Sequence, residues 1–322
     1  MRLRRLGSSG IEIAPLVLGG NVFGWTADRK ASFAILDAFV DAGFNAIDTA
    51  DVYNRYAPGL VGGESETIIG EWLQQRGNRE RVVLITKGGL PMGEGQEGLG
   101  RDYLSRACEA SLRRMRTDYI DVYLAHAPDP GTPIAESLEA FQGLMDRGMV
   151  RQCGCSNFAP AQLREALDQA GDGRARFSVV EPRYNLVERD AYEGELEDIC
   201  IAGDLGVITY YALAAGFLTG KYRRAEDLEG KARSRVASGF VNARGLAALD
   251  RVDTVAGRHG ATPAQVALAW IMARPSVAAP IVSATAPVQL DEILRATDLA
   301  LDATDMADLD GALIASDAAE AP

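Results

Sequence analysis

A closed (β/α)8 barrel is the fold class that the sequence predicts, and three observations carry that reading. Eight short, β-rich apolar runs alternate with eight longer segments of helical period. The runs are apolar almost throughout, as parallel strands covered on both faces must be. The pairs together span about 280 residues, the size at which such a barrel closes, with an open doubly wound sheet as the competing architecture.

The elements follow in order. Residues 3–6 and 11–13, joined by the turn Gly7-Ser8-Ser9-Gly10, form an N-terminal hairpin. Strands are expected at 16–19, 46–49, 82–86, 120–125, 150–155, 178–180, 207–211 and 280–282. Helices are expected at 31–42, 64–75, 101–115, 134–147, 160–170, 193–202, 263–273 and 288–297. In 31–42, Phe33, Leu36, Asp37 and Val40, together with Ile35 and Phe39, follow the i, i+3, i+4 spacing of one helix face. Thr262 before Pro263 marks a helix start, with Thr as N-cap and Pro at the first helical position. No linker rich in Pro, Gly or Ser divides residues 1–322, which read as a single domain. The one long irregular piece, 214–246, holds Gly216, Gly220, Lys221 and mixed charges through Arg235. A loop of that length is usually functional. In a barrel it would follow strand seven, at the face where sites assemble.

Composition narrows the function. The chain has 322 residues, 33 Lys or Arg and 45 Asp or Glu, for a net charge of −12, and a pI of 4.8. With no basic stripe, neither nucleic acid nor an anionic membrane is an expected partner. Apolar residues make up 47%, enough for a large core. Met1-Arg2-Leu3-Arg4-Arg5 is followed by Gly7-Ser8-Ser9-Gly10 where a secretory leader would be apolar. The longest apolar candidate, 207–220, is interrupted by Thr, Tyr and Gly and falls short of a membrane span. Cys108, Cys153, Cys155 and Cys200 form no CxxC pair, and two histidines are too few for a His-rich zinc site. Reduced, buried thiols in a cytoplasmic protein without a metal are expected. Cys153 and Cys155 alternate with Gln152 and Gly154, the pattern of barrel packing.

Polar residues stand at the C-terminal ends of the apolar runs, where a barrel assembles its site. Strand two ends in Asp48-Thr49-Ala50-Asp51-Val52-Tyr53, strand three in Thr86-Lys87-Gly88-Gly89, strand four in Ala125-His126-Ala127-Pro128 and strand five in Cys155-Ser156-Asn157. Taken singly, Lys87 also fits a solvated loop, His126 a satisfied core imidazole and Asp48 a turn cap. Their convergence on one face favours chemistry.

These residues sit in segments that resemble the aldo-keto reductase family over nearly the whole chain. The segments are Phe44-Asn45-Ala46-Ile47-Asp48-Thr49-Ala50-Asp51-Val52-Tyr53, Gly63-Glu64-Ser65-Glu66-Thr67-Ile68-Ile69-Gly70 and Ile85-Thr86-Lys87. Then come Thr117-Asp118-Tyr119-Ile120-Asp121-Val122-Tyr123-Leu124-Ala125-His126, Gly154-Cys155-Ser156-Asn157-Phe158, Tyr184-Asn185-Leu186 and Gly216-Phe217-Leu218-Thr219-Gly220-Lys221-Tyr222. The likeness is to the bacterial branch with aryl-alcohol dehydrogenase-like and potassium-channel β-subunit-like members.

The resemblance implies hydride transfer between a nicotinamide cofactor and an aldehyde or ketone, or the corresponding alcohol. It maps a catalytic tetrad onto Asp48, Tyr53, Lys87 and His126. Lys87, held by Asp48, would lower the pKa of the Tyr53 phenol. Tyr53 would protonate the carbonyl oxygen, and His126 would donate a hydrogen bond to it.

For the cofactor, the resemblance implies Ser156 and Asn157 at the carboxamide, Tyr210 stacked on the nicotinamide, and the loop from Leu213 to Gly216 at the pyrophosphate. Tyr210-Tyr211-Ala212-Leu213 departs from the family's Tyr-Ser-Pro-Leu, and Glu181 stands where Gln is usual. An ionised glutamate can only accept hydrogen bonds, unlike glutamine, and a rim-facing Glu181 without a cofactor role is equally compatible. Ser283 and Gln289 lie in the segment that holds the 2′-phosphate, which lacks the frequent Lys or Arg, while Ile293 replaces the usual adenine-binding Asn. NADP(H) is the implied cofactor and NAD(H) an open alternative. Trp25, with Tyr56 and Phe240, is a candidate lining for substrate, each also fitting rim packing. The chain's end at Ser316-Asp317-Ala318-Ala319-Glu320-Ala321-Pro322 leads us to expect an open site. A nicotinamide-binding regulatory or partner protein with little turnover is the alternative function.

Overall fold

In a computed structural model that describes residues 1–231 and 233–311, the barrel is closed. A two-stranded antiparallel ribbon, β1 (Arg4–Arg5) and β2 (Glu12–Ile13), precedes it. Its parallel strands are β3 (Val17–Gly19), β4 (Ala46–Asp48), β5 (Val83–Gly88), β6 (Ile120–Ala125), β7 (Val150–Ser156), β8 (Val179–Glu181), β9 (Gly206–Thr209) and β10 (Ala279–Val282). They pair in chain order, and β10 closes on β3. Around them run α1 (Arg29–Asp41), α2 (Glu64–Arg76), α3 (Arg101–Met115), α4 (Ile134–Asp146), α5 (Pro160–Asp168) and α6 (Glu195–Ala202). After β9 come α7 (Ser234–Ala237), α8 (Ala243–His259) and α9 (Pro263–Met272), and after β10 come α10 (Pro287–Leu294) and α11 (Ala303–Asp310).

The period of two along each strand divides the core. Val17, Ala46, Ile85, Val122, Leu124, Val179, Ile208, Ala279 and Ile281 fill the barrel, while Ile47, Leu84, Tyr123, Cys153, Cys155, Val180 and Val207 pack with the helices. The ribbon contributes Leu6, Ile11 and Ile13 to the interior cluster, so it plugs the mouth at the strands' N-terminal ends. Gly206 makes room for it, since a Cβ there would lie 2.6 Å from Leu6 Cγ. Chemistry is thereby confined to the opposite, C-terminal mouth.

Local chemistry explains the helices. Thr262 accepts from Gln265 N, and Gln265 Oε1 accepts in return from Thr262 N at 3.0 Å, closing a capping box ahead of Pro263. Asp37, the polar member of the α1 face, accepts from Arg76 Nε and Trp72 Nε1, each at 2.8 Å, and ties α1 to α2. Gly70 lets α2 close on the end of α3: a Cβ there would stand 2.1 Å from the Arg114 carbonyl oxygen. Gly70→Ala is therefore expected to cost about 1–3 kcal/mol through forced separation of the two helices. The change in chemical-denaturation midpoint measures it, and an unshifted midpoint would refute the close packing.

Several expectations need correction. The stretch 214–246 is not one irregular loop. It contains 3-10 turns at Ala214–Thr219, Ala225–Leu228 and Ser238–Phe240, the short α7, and the start of α8. Asn242 caps α8 by accepting from Gly245 N at 2.9 Å, and Ala248, Leu249, Val252, Val255 and Ala256 are buried along one face. The interspersed Asp250, Arg251 and Asp253 disguised that face. The polar α11 was also missed; its Asp305 accepts from Arg258 and contacts His259 Nε2 at 2.6 Å. The expected helix 288–297 ends at Leu294 and continues as a 3-10 turn, Arg295–Asp298. The run from Ser316 to Pro322 lies outside the described residues. Among the described residues no helix is long and apolar enough to cross a membrane, and all four cysteines are buried and unpaired.

Candidate active site

One step beyond the last apolar layer of the barrel, the inward positions turn polar. Asp48 ends β4, Lys87 follows Ile85 on β5, His126 follows Leu124 just past the end of β6, and Glu181 ends β8. Tyr53 reaches the same spot from the loop after β4, five residues beyond Asp48. The structure thus brings Asp48, Tyr53, Lys87 and His126 together. Lys87 Nζ donates to Asp48 Oδ1 at 2.5 Å, to Tyr53 Oη at 2.9 Å and to the Thr49 carbonyl at 3.0 Å. That uses its three protons. Tyr53 Oη donates to Asp48 Oδ2 at 3.1 Å. The His126 ring stands edge-on to Tyr53, with centroids 6.0 Å apart. Lys87 and Asp48 are 0% and 1% exposed, so these bonds act in a water-poor medium that strengthens them.

Burial and charge set the protonation states. Burial opposes the Lys87 ammonium, but Asp48 and Glu181 outweigh it and hold its pKa well above the usual value. Burial, then the His126–Lys87 repulsion, lowers the imidazole pKa to about 3, so His126 is neutral at pH 7 and acts as a hydrogen-bonding group rather than a cation. Tyr53 departs from the expectation that Lys87 would lower its pKa. Lys87 does pull downward, but burial first and Asp48 next push the phenol well above 10. The resting residue is a loaded acid.

The cofactor-side residues lie on the strand ends and loops around this cluster. Tyr210 Oη donates to Asn157 Oδ1 at 2.6 Å, and Asn157 Nδ2 donates to the His126 carbonyl at 2.8 Å. Ser156 Oγ donates to the Glu181 carbonyl at 2.9 Å, leaving its lone pairs for a ligand or for Asn157. Leu213 and Gly216 bracket a left-handed backbone: Tyr211, Ala214, Ala215 and Gly216 all have positive φ, at 58°, 47°, 55° and 93°. Three of them are not glycine and carry strain of order 1–2 kcal/mol each. That is where the altered Tyr210-Tyr211-Ala212-Leu213 run sits. Ser283 Oγ donates to Asn21 Oδ1 at 2.7 Å. Gln289 Oε1 is held by Thr285 N and Oγ1, both at 2.9 Å, which leaves its amide protons available.

Of the aromatic candidates, Trp25 and Tyr56 are exposed at the mouth. Phe240 packs against Phe217 with centroids 5.8 Å apart, so it is committed to the loop. Glu181 does not face the rim: it is buried, with Oε1 3.3 Å from Lys87 Nζ.

One cation escaped the sequence reading. Arg233, within the long loop, donates to Asn21 Oδ1 at 3.4 Å, the same oxygen that accepts from Ser283 Oγ. The hydroxyls of Tyr53, Tyr211 and Tyr222 are its electrostatic neighbours. Among the described residues it forms no ion pair within 4.0 Å, and a sheltered guanidinium with no carboxylate fits an anionic ligand. Its only sequence signal was a basic residue in a stretch that otherwise looks solvated. The described residues hold no cluster of His, Cys, Asp or Glu arranged for a metal.

The family model described as "Aldo/keto reductase family" matches residues 15–314. An uncharacterized oxidoreductase of Bacillus subtilis, YrpG, is 35% identical over 94% of this chain and 93% of its own length. A probable voltage-gated potassium channel subunit beta of Oryza sativa subsp. japonica is 34% identical, covering 93% and 92%. The aldo-keto reductase YhdN of Bacillus subtilis is 32% identical, covering 94% and 89%.

Proposed function

The chain belongs to the aldo/keto reductase family of nicotinamide-dependent oxidoreductases, and on that footing we propose that it reduces aldehydes or ketones, with Tyr53 as the general acid. The observation that carries this reading is the contact of 2.9 Å between Lys87 Nζ and Tyr53 Oη, with Asp48 gripping the same ammonium at 2.5 Å. A bound reduced nicotinamide supplies the hydride. Tyr53 gives its proton to the carbonyl oxygen as negative charge develops there, and the phenolate left behind is stabilised against the Lys87 ammonium. Neutral His126 donates a hydrogen bond to the same oxygen, orienting the carbonyl and spreading its charge. The raised phenol pKa keeps Tyr53 protonated at pH 7, which suits reduction; alcohol oxidation needs the phenolate and gains as pH rises.

The polar groups and backbone around the cluster suit a nicotinamide dinucleotide. Asn157, Ser156 and Tyr210 would hold the nicotinamide, the strained backbone from Leu213 to Gly216 the pyrophosphate, and Ser283 with Gln289 the adenosine end. NADP(H) is the proposed cofactor and NAD(H) remains compatible, because no Lys or Arg lies within Ser283–Gln289. Arg233, beside Tyr53 and Tyr222 rather than beyond Gln289, is assigned to the diphosphate common to both. Arg233→Ala is expected to raise the Kd of NADPH and NADH alike by about 10-fold or more, in line with a charge-assisted bond of roughly 1.5–3 kcal/mol. Quenching of protein fluorescence measures both; unchanged affinities would remove Arg233 from the site.

Trp25 and Tyr56, exposed on the loops that follow β3 and β4, support aromatic carbonyls as substrates. The test is oxidation of NADPH or NADH by purified protein with 4-nitrobenzaldehyde. The identity to relatives named as channel β-subunits supports a second reading, a nicotinamide-binding regulatory subunit. Tight cofactor binding without oxidation across a panel of carbonyls would favour it.

A further inference from the structure

Glu181 lies inside the proposed centre but has no part in the chemistry above, and its surroundings do not supply what an ionised carboxylate needs. Lys87 spends its three protons on Asp48, Tyr53 and the Thr49 carbonyl, so the contact of 3.3 Å to Glu181 Oε1 is a fourth and longer one. Tyr53 spends its single proton on Asp48 Oδ2. Glu181 Oε2 is buried and no donor faces it. Yet the Glu181 and Asp48 carboxyls are within hydrogen-bonding reach of each other. Two carboxylates cannot share that contact; one more proton is required.

The charge count leads to the same place. Asp48 and Lys87 cancel; Arg233 is a neighbour of the Tyr53 phenol, but among the described residues no cation other than Lys87 pairs with either carboxyl. The other ionisable groups facing Glu181 are the phenols of Tyr53 and Tyr210, both uncharged at pH 7; Arg183, a neighbour of Tyr210, is paired with Glu188 at 2.6 Å. His126, which faces Lys87, is neutral. An ionised Glu181 would therefore be a second buried negative charge served by a single ammonium. Burial first, and the neighbouring Asp48 next, push the carboxyl well above its ordinary range.

We propose that Glu181 is a proton-carrying positioning residue: at neutral pH its protonated carboxyl donates to Asp48, and its ionisation at higher pH adds a negative charge beside Lys87 that makes Tyr53 a weaker acid. With Glu181 protonated, proton release by Tyr53 takes the four-group cluster from a net charge of zero to −1. With Glu181 ionised, the same step runs from −1 to −2 and is disfavoured. No bond in the substrate is altered; Glu181 acts through Lys87 alone. In the direction of alcohol oxidation, which requires the Tyr53 phenolate, the ionised glutamate delays its formation.

This inference rests on Tyr53 serving as the acid, so its test has one arm that needs no turnover. Infrared difference spectra between wild type and Glu181→Gln, without cofactor or substrate, are expected to show a protonated-carboxyl C=O band at pH 7. The band should vanish on alkaline titration and be missing from the variant. In the second arm, the pKa governing kcat/KM for alcohol oxidation is expected to fall by about 1–2 units in Glu181→Gln, the effect of removing a like charge a few ångströms away. A merely structural glutamate would lower the rate at every pH without moving that pKa. Absence of the infrared band, or a band accompanied by an unshifted profile, overturns the proposal. If the protein turns over no carbonyl or alcohol, the reductase reading fails by itself, and the infrared arm still decides whether Glu181 holds the proton.

Discussion

Tyr53→Phe is expected to bind NADPH as wild type does while losing carbonyl reduction by about 10²–10⁴-fold, the usual worth of a positioned general acid. The substitution removes one oxygen. That oxygen is the acceptor for one Lys87 proton at 2.9 Å and the donor to Asp48 at 3.1 Å. The phenyl ring keeps its place against His126, so the walls of the site persist. Lys87 still holds Asp48 and the Thr49 carbonyl, which keeps the buried charge paired. The loss should therefore fall on kcat, with little change in cofactor affinity. Stopped-flow binding alongside steady-state turnover separates the two. Turnover within a few-fold of wild type would assign the proton to another group.

The second large effect concerns the fold as well as the chemistry. Lys87→Met keeps most of the side chain's length but removes the ammonium that serves two carboxyls, Lys87, Asp48 and Glu181 each being at most 3% exposed. Leaving a buried charge unpaired typically costs about 3–5 kcal/mol. The pH dependence has a definite sign. Without the ammonium, the pKa values of Asp48 and Glu181 in the folded protein rise further above their unfolded values. A raised carboxyl pKa means that the folded state binds the proton more tightly, so stability falls as pH rises past the unfolded value. The deficit against wild type should thus be larger at pH 7.5 than at pH 5, as read from denaturant midpoints. A pH-independent deficit would mean that lost packing, not unpaired charge, is the cause. Turnover should collapse at both pH values, because the Tyr53 phenolate loses its counter-charge.

Much of the centre was legible in the sequence because a strand alternates faces with a period of two. Once Ala46 and Ile85 are assigned to the barrel interior, Asp48 and Lys87 must point the same way, one step nearer the C-terminal mouth. His126 follows Leu124 by the same rule. Spacing does not carry magnitudes, which is why the expectation for Tyr53 came out with the wrong sign. A lysine at hydrogen-bonding distance pulls the phenol down, but burial and Asp48 outweigh it, and both depend on how closely the site is packed.

Glu181 was recognisable as an unusual residue at its position, yet only the folded barrel sets it against Lys87 rather than at the rim. Arg233 was the least accessible to sequence reasoning. It lies in a run of mixed charge, and its partner Asn21, which also binds Ser283, stands 212 positions away in the chain. The helix α8 was hidden for a different reason: its apolar face carries several alanines, whose weak hydrophobic signal was lost among Arg and Asp.

The most direct measurement follows the hydride itself. Purified protein would be given NADPH deuterated at both C4 positions together with 4-nitrobenzaldehyde, and the product analysed by mass spectrometry. One deuterium on the carbinol carbon with stoichiometric cofactor oxidation, and formation of that alcohol slowed by about 10²–10⁴-fold in Tyr53→Phe, is the expected result. Cofactor binding with no deuterated alcohol from this or other carbonyls would contradict the reductase assignment and leave a nicotinamide-binding protein that does not turn over.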